Sequence, residues 1–413
     1  MNQYSSRREK ILEALDKNSA VLLFSGKAPM RSEDEAYPFC VNRNFYYLTG
    51  LDYEGMSLLM YNLDGVTHES LFILPFDETL AKWVGGRILA DKASEIAKID
   101  DVNSSEDLDD VISSLLNRAR KDNNFKLYFD LWHYQMDQEN SLSIEYANKL
   151  KNRYPALIIK DFYPVLTSMR LVKDKTEIDD IRKAIHITNL GIQEMMKTIK
   201  PGESEMAMEG VFNYTLNKSL CHENAFPTIA ASGANATVLH YSSNNCIMND
   251  GDLFLCDLGA TYNHYCGDIS RTFPVNGKFS ERQKEIYNIV LGAQKLVEEN
   301  ARPGISIRQL NKMVVDYYKE ELPKHNLNED VSEYYFHSIS HHLGLDTHDV
   351  SIGANEPLQA GNVITNEPGL YISSEAIGIR IEDDLLINDD GCEVLSSEII
   401  KTVDDIEKFM KEH

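Results

Sequence analysis

The first part of the chain alternates between short apolar runs and stretches in which apolar and charged positions recur with a helical period. Between about residues 6 and 160 this alternation predicts an α/β domain. We expect a charged helix at the start, a second helix opening at Ser105 with acidic residues in its first turn, and a third before the last strand. The predicted strands lie at VLLFSG, FYYLTG, MSLLMY, SLFILP, KLYFD and ALIIKD.

A change of pattern near residue 173 predicts a domain boundary. The segment DFYPVLTSMRLVKD contains one proline and no long regular period, whereas KTEIDDIRKAIHITNLGIQEMMKTIK has the spacing of a long amphipathic helix that ends at Pro201 and Gly202. We therefore expect an N-terminal domain over residues 1–173 and a second domain over residues 174–413.

The second domain contains an internal repeat. KPGESEMAMEG is echoed by RPGISIRQLNK, and NDGDLFLCDLGATY is echoed by QAGNVITNEPGLYI. In the second pair Gly251 matches Gly361 and Asp257 matches Glu367, both at an offset of 110. Each copy is followed by a further predicted strand that carries a carboxylate, in YCGDISRTF and GIRIEDDLLI. The order predicts two similar halves that deliver carboxylate-bearing hairpins to one centre.

Four acidic residues interrupt or end these otherwise apolar strands: Asp257, Asp268, Glu367 and Glu382. A buried carboxylate without a partner is costly, so either its pKa rises or a cation compensates it. The segment FHSISHHLGLDTHD adds imidazoles to the donor set. Oxygen and imidazole donors without a thiolate cluster suit Mn, Co, Fe or Zn, and two ions sharing bridging carboxylates would use all four acids. Taken singly, each acid is also compatible with an ordinary turn position.

The positions of the histidines separate a candidate metal ligand from histidines with other roles. His341 is the candidate ligand, and His342 directly after it must point elsewhere, which favours a packing role. His240 precedes Gly251 much as His348 precedes Gly361, so it occupies the equivalent place in the first half. Arg380 lies two residues before Glu382, on the same face of the predicted strand, where it could orient a ligand carboxylate.

Composition narrows the classes of partner. The 413 residues contain 41 Lys and Arg against 65 Asp and Glu, a net charge of −24, which disfavours nucleic acid and anionic membranes as partners. No run approaches the roughly 18 apolar residues of a membrane span, and no signal peptide is visible. The six scattered cysteines fit reduced thiols, so a cytoplasmic location is expected.

With these motifs the second domain resembles the metal-dependent peptidases of the pita-bread fold, in the branch that contains Xaa-Pro aminopeptidase and Xaa-Pro dipeptidase (prolidase). The segments that carry the resemblance are CDLGATYNHYCGDISRTFPVNGKFSERQKEIYNIVL, HSISHHLGLDTHD, TNEPGLYI and GIGIRIEDDLLI. RSEDEAYPF before NFYYLTG gives the first domain a similar likeness to that family's N-terminal domain. The expected fold is an α/β N-terminal domain followed by an α+β pita-bread domain with pseudo-twofold duplication.

The resemblance implies two divalent metal ions per subunit, with Mn2+ favoured and Co2+, Zn2+ or Fe2+ also compatible. It implies that Asp268 and Glu382 bridge the two ions, and that Glu367 also shuttles a proton. Arg380 then matches the family's arginine beside the ligands. The implied metal ligands are Asp257, Asp268, His341, Glu367 and Glu382.

Around the metals, the resemblance implies that His240, His337 and His348 face the substrate, with His348 and His240 donating to the carbonyl oxygen. Phe226 then lines the pocket for the N-terminal side chain, and Trp83 becomes a lid residue that reaches a neighbouring subunit of a homodimer or homotetramer. Core packing remains the other interpretation of Phe226, and an ordinary core or surface position remains the other interpretation of Trp83.

The expected reaction is release of the first residue from peptides with proline in second position. Two other functions remain open: a prolidase, and a non-catalytic binding module that keeps its metals for structure. The non-ligand histidines disfavour the module, because a structural metal site has no use for proton-transfer groups.

Overall fold

The computed structural model describes residues 2–121 and 124–413. Its contacts divide the chain into two compact units, Met1–Leu166 and Thr167–His413. The sequence placed the boundary at residue 173, a few residues after the division between these two units. The segment DFYPVLTSMRLVKD, expected to be irregular, contains a helix, Tyr163–Leu171. No helix within residues 2–121 and 124–413 has the length and apolar character that crossing a bilayer requires.

The first unit is a six-stranded mixed sheet with helices packed on it. The strand order is β4-β3-β2-β1-β5-β6, in which β1, β2 and β3 form an antiparallel meander and the outer pairings are parallel. Its elements are α1 (Gln3–Ala14), β1 (Ser19–Phe24), α2 (Arg43–Thr49), β2 (Ser57–Leu63), β3 (Val66–Ile73), α3 (Glu78–Val84), α4 (Ala90–Ala97), β4 (Val102–Ser104), α5 (Leu108–Ala119), β5 (Lys126–Phe129), α6 (Leu142–Arg153), β6 (Ile158–Asp161) and the start of α7 (Tyr163–Leu171).

The strand predicted at FYYLTG is wrong: this segment is helix α2. The side chain of Asn42 accepts a hydrogen bond from the backbone N–H of Phe45 and caps the helix start. Gly50, with a φ of 68°, ends it in the left-handed conformation that glycine adopts without strain. Most of the helix is buried on all sides, so its apolar run has no helical period to distinguish it from a buried strand.

The helix predicted to open at Ser105 begins later. Ser104, not Ser105, is the capping residue, and it starts a short 3-10 turn that spans Ser105–Asp107. Helix α5 follows from Leu108 with acidic residues in its first turn, where they complement the helix dipole.

The second unit is built from long helices around small antiparallel sheets. β11, β8 and β7 form one three-stranded sheet and β12, β15 and β16 another, while β9 with β10 and β13 with β14 form two-stranded ribbons. Its further elements are α8 (Lys175–Thr198), α9 (Glu205–Lys218), β7 (Ile229–Ser232), β8 (Leu253–Leu258), β9 (Thr261–Tyr262), β10 (Tyr265–Cys266), β11 (Ile269–Pro274), α10 (Glu281–Asn300), α11 (Ile307–Glu321), β12 (Val363–Asn366), β13 (Gly369–Ile372), β14 (Ile377–Arg380), β15 (Asp383–Ile387), β16 (Cys392–Val394) and α12 (Val403–Glu412).

The internal repeat is visible in the backbone. Gly202 and Gly304, of the two Pro-Gly-x-Ser segments, have φ angles of 92° and 89°, and the serine two residues after each glycine caps the following helix. Gly251 and Gly361, before the two carboxylate hairpins, have φ angles of 88° and 89°. A positive φ at matched positions favours glycine in both halves, which explains why the glycines are the clearest part of the echo.

Candidate metal centre

The four predicted carboxylates lie within or directly next to the strands of the two hairpins. Asp257 is inside β8 and Glu367 directly follows β12. Asp268 and Glu382, expected within strands, instead immediately precede β11 and β15. β8 pairs with β11 and β12 pairs with β15, so each hairpin presents two acids at one end.

The backbone at Asp268 and Glu382 joins the two halves, which is why neither residue continues a strand. The N–H of Glu382 donates to the carbonyl of Ser270 at 3.0 Å. The N–H of Asp268 donates to Oδ2 of Asp384 at 3.2 Å. These bonds run between the hairpins instead of along a ladder, and they bring the acids of both halves to a common centre.

His341 completes the donor set. Its Nε2 lies 3.3 Å from Asp268 Oδ2 and 3.7 Å from Glu367 Oε1. Its Nδ1 lies 3.1 Å from the carbonyl oxygen of His342, an arrangement that fixes the ring and leaves Nε2 as a ligand atom. Asp268, His341 and Glu382 each offer one ligand atom within 4.8 Å of the others. This is a candidate metal centre.

Asp257 provides the observation that tests whether a cation fits. Its Oδ2 accepts from Nη2 of Arg380 at 2.8 Å. Its Oδ1 is buried and has no hydrogen-bond partner among residues 2–121 and 124–413. A buried carboxylate oxygen without a partner is costly, and a cation at the centre would satisfy it. The residues therefore fit a metal site.

The pKa values of the clustered residues also favour a cation at this centre. Burial raises the pKa of Asp268 to about 6 and that of Glu367 to about 7, and it holds the pKa of Glu382 well above its usual range. Burial lowers the pKa of His341, but the hydrogen bond and charge of Asp268 outweigh it and raise the pKa to about 9. Three of the clustered carboxylates therefore have raised pKa values, and divalent cations at the centre would favour their ionised forms.

Three further histidines surround the centre. Nδ1 of His337 lies 3.6 Å from Glu367 Oε2, and burial lowers the pKa of His337 to about 4. The ring of His348 lies edge-on to that of His341 with centroids 4.5 Å apart. His240 is exposed and close enough for its charge to lower the pKa values of His337 and His348. The adjacent His342 is buried.

The positions of Phe226 and Trp83 bear only indirectly on the roles predicted for them. Phe226 is partly buried and follows Ala225, whose carbonyl accepts from the hydroxyl of Thr347 at 3.2 Å, next to His348. Trp83 belongs to the first unit, where it is 84% exposed on α3. The roles predicted for both side chains stay predictions.

Comparison with known proteins identifies the family. A profile described as Metallopeptidase family M24 matches residues 179–389, and one described as Aminopeptidase P, N-terminal domain, matches residues 4–125. The chain belongs to the M24 metallopeptidase family. The predicted two-domain fold, with a duplicated pita-bread domain, and the predicted membership in the Xaa-Pro aminopeptidase branch are confirmed.

Relatives of this M24 member extend over its whole length. The Xaa-Pro aminopeptidase of Haemophilus influenzae is 35% identical over 433 residues, which cover 99% of this chain and 97% of the relative. Aminopeptidase P of E. coli with the inhibitor Pro-Leu has a TM-score of 0.90 at 34% identity, covering 99% of this chain and 98% of that one. A Bacillus anthracis protein proposed to be an aminopeptidase P has a TM-score of 0.96 at 40% identity, with the same coverage.

Sequence reasoning missed two side chains of this M24 site. Ser270, fully buried, donates to Glu382 Oε2 at 2.7 Å and accepts from Nε of Arg380 at 2.8 Å. The hydroxyl of Tyr371 accepts from Nη1 of Arg380 at 2.9 Å and lies 2.9 Å from Nε2 of His337. Strand alternation gave a signal for Ser270, which lies two residues after Asp268. Tyr371 gave no comparable signal.

Proposed function

We propose that this M24 metallo-aminopeptidase releases the N-terminal residue from peptides with proline in second position, using two divalent metal ions. The single observation that carries the metal site is the convergence of both hairpins on one centre, where Asp257 Oδ1 is buried and has no hydrogen-bond partner in the described part of the chain. The residues that would hold the ions are Asp257, Asp268, His341, Glu367 and Glu382. When bound, such ions supply a water of lowered pKa and polarise the substrate carbonyl.

Glu367 is proposed to take the proton from the attacking water and pass it to the leaving proline nitrogen. Its carboxyl lies 3.6 Å from Nδ1 of His337 and 3.7 Å from Nε2 of His341, two rings that can exchange a proton with it. Its side chain remains 17% exposed, unlike that of Asp268 at 5%, so it can reach a water and a substrate atom.

His348 and His240 are proposed to donate to the carbonyl oxygen as negative charge develops there. Burial lowers the pKa values of His337 and His348, which keeps both rings neutral near pH 7 and able to donate one N–H. His337 and Phe226 are proposed to contact the substrate. Because an Xaa-Pro bond has no N–H and proline has a fixed ring, the pocket can select it by shape.

Arg380 is proposed to orient the ligands rather than to touch the substrate. It is buried and binds Asp257, Ser270 and Tyr371 through its three guanidinium nitrogens. The planar, permanently charged guanidinium group suits this task, since it holds three partners in one geometry.

The metal and the assembly complete the proposal. Mn2+ is the proposed ion, with Co2+, Zn2+ and Fe2+ as the other candidates, because this donor set accepts all four. We propose a homodimer or homotetramer in which exposed Trp83 acts as a lid at a neighbouring subunit, and a cytoplasmic location in which the six free thiols stay reduced. Metal analysis and native mass spectrometry test these points.

The deciding experiment compares metal-stripped and Mn-loaded protein on a matched Xaa-Pro dipeptide and Xaa-Pro-Xaa tripeptide. Release of the first residue is followed, with Glu367→Gln as the matched inactive variant. Faster cleavage of the tripeptide supports the aminopeptidase, and cleavage confined to the dipeptide makes the chain a prolidase. If the metal-loaded protein cleaves neither peptide, the proposal is contradicted and a binding module is favoured.

A further inference from the structure

Glu205 is a buried carboxylate that the proposed reaction does not use. It is the first residue of α9 and is fully buried. Its Oε1 accepts from the N–H and hydroxyl of Ser232 at 2.8 and 2.7 Å and from Nδ2 of Asn235 at 3.0 Å. Its Oε2 accepts from the hydroxyl of Tyr241 at 2.8 Å and from the N–H of Cys246 at 3.0 Å. All the ordinary acceptor capacity of this carboxylate is filled.

All five donors belong to one chain segment, residues 232–246, which we call the His240 loop. Ser232 and Cys246 are its two ends, and Asn235 and Tyr241 lie within it. One carboxylate therefore ties both ends and two interior points of the loop together. Bonds to a charged acceptor are the stronger class of hydrogen bond, so the arrangement holds the loop in one conformation.

Tyr241 transmits this constraint to its neighbour His240. Its hydroxyl binds Glu205 and also accepts from Nδ2 of Asn235 at 3.1 Å. Its ring and the side chain of Leu239 pack against the buried cluster that includes Tyr371. His240 lies between two anchored residues while its own side chain is exposed, so its position follows from theirs.

We propose that Glu205, acting through Tyr241, is a positioning residue that holds His240 beside the metal centre. This inference rests on the proposed function only in the task assigned to His240. The anchoring of the loop is independent of the reaction and can be measured without it.

The kinetic test is a double-mutant cycle with an Xaa-Pro-Xaa tripeptide. Tyr241→Phe removes one hydroxyl, and Tyr214→Phe, at a 68% exposed position on α9, is the matched control. We expect Tyr241→Phe to lower kcat by about tenfold with little change in KM, the factor expected for one hydrogen bond to a charged group. In the His240→Ala background the same change should lower kcat less than twofold, whereas a merely structural role would cost the same in both backgrounds.

The second test needs no turnover. In metal-free protein, Glu205→Gln should speed amide exchange in a peptide spanning the His240 loop by at least about tenfold, because a carboxamide cannot replace all five acceptor contacts. A peptide from α10 should be unchanged, which excludes global unfolding. If Glu205→Gln does not fold, Tyr241→Phe gives the same readout.

The two tests separate this inference from the proposed function. Unaltered loop exchange, or an equal loss of kcat in both backgrounds, would overturn the positioning role. If Glu205→Gln loses protection in the His240 loop and the metal-loaded wild-type protein cleaves no Xaa-Pro peptide, the anchoring is supported and the peptidase function is contradicted.

Discussion

Replacing Ser270 with alanine tests whether the geometry of the metal centre depends on a single buried hydroxyl. The hydroxyl is the donor to Glu382 Oε2 at 2.7 Å and the acceptor for Nε of Arg380 at 2.8 Å. Ser270 has no exposed surface, so bulk water does not replace the lost partner. Ser270→Ala leaves one oxygen of a proposed metal ligand and one guanidinium N–H without their present partner.

The magnitude follows from two independent arguments. A hydrogen bond to a charged group is worth about 1.5–3 kcal/mol, and burial prevents solvent from compensating its loss. Removing a partner that orients a metal ligand costs about 10–100-fold in metal affinity, which corresponds to about 1.4–2.7 kcal/mol. Because the two ranges agree, we expect Ser270→Ala to weaken Mn2+ binding by about 10–100-fold.

Thr272→Val on the same strand is the matched control. Thr272 is also fully buried, and its hydroxyl bonds the backbone carbonyl and N–H of Arg380 at 3.1 and 3.2 Å. We expect this variant to lower the free energy of unfolding without changing metal affinity. Competition with a chelator measures affinity, and urea unfolding of the metal-free proteins measures stability. If Ser270→Ala binds Mn2+ as tightly as the wild type, or no more weakly than Thr272→Val, the proposed ligand role of Glu382 is refuted.

Three further predictions follow from the same contacts. Glu367→Gln should abolish turnover while urea unfolding of the metal-free chain stays within about 1 kcal/mol of wild type; residual turnover above one per cent would remove Glu367 from its proton-transfer role. Metal removal should abolish activity and leave one cooperative unfolding transition, whereas unfolding on chelation would mark a structural metal site. Burial raises the pKa of Asp349, but Lys173 and Arg170 outweigh it and lower the pKa from 3.8 to about 2. The ionised carboxylate therefore stabilises the fold above about pH 4, and the free energy of unfolding falls by about 2 kcal/mol as the pH falls towards 2. Urea unfolding at pH 5 and 3 should show a smaller loss of stability in Asp349→Asn than in the wild type.

The parts of the fold and candidate site that the sequence predicts are those set by local pattern. Acids that interrupt apolar strands mark the hairpin ends, and the offset between Asp257 and Glu367 marks the duplication. The matched glycines reflect matched backbone angles, so they survive where the side chains between them have diverged.

The parts that the sequence does not predict depend on partners distant along the chain. Helix α2 is read as a strand because tertiary packing buries it on most sides. Ser270 acts on Glu382, 112 residues away, and Glu205 on Tyr241, 36 residues away. A serine in a strand and a glutamate at a helix start are ordinary residues in their local context, and only the fold brings them to their partners.

The duplication also explains how matched acids can take different tasks. Asp257 and Glu367 occupy equivalent places in the two halves, yet of these two acids only Asp257 accepts a hydrogen bond from Arg380 in the described part of the chain, at 2.8 Å. Glu367 has the histidines His337 and His341 near it, at 3.6 and 3.7 Å, and a raised pKa. The guanidinium fork of Arg380 holds the carboxylate of Asp257 in one geometry, whereas no arginine holds Glu367 in this way within the described residues. This asymmetry supports assigning proton transfer to Glu367 rather than to Asp257.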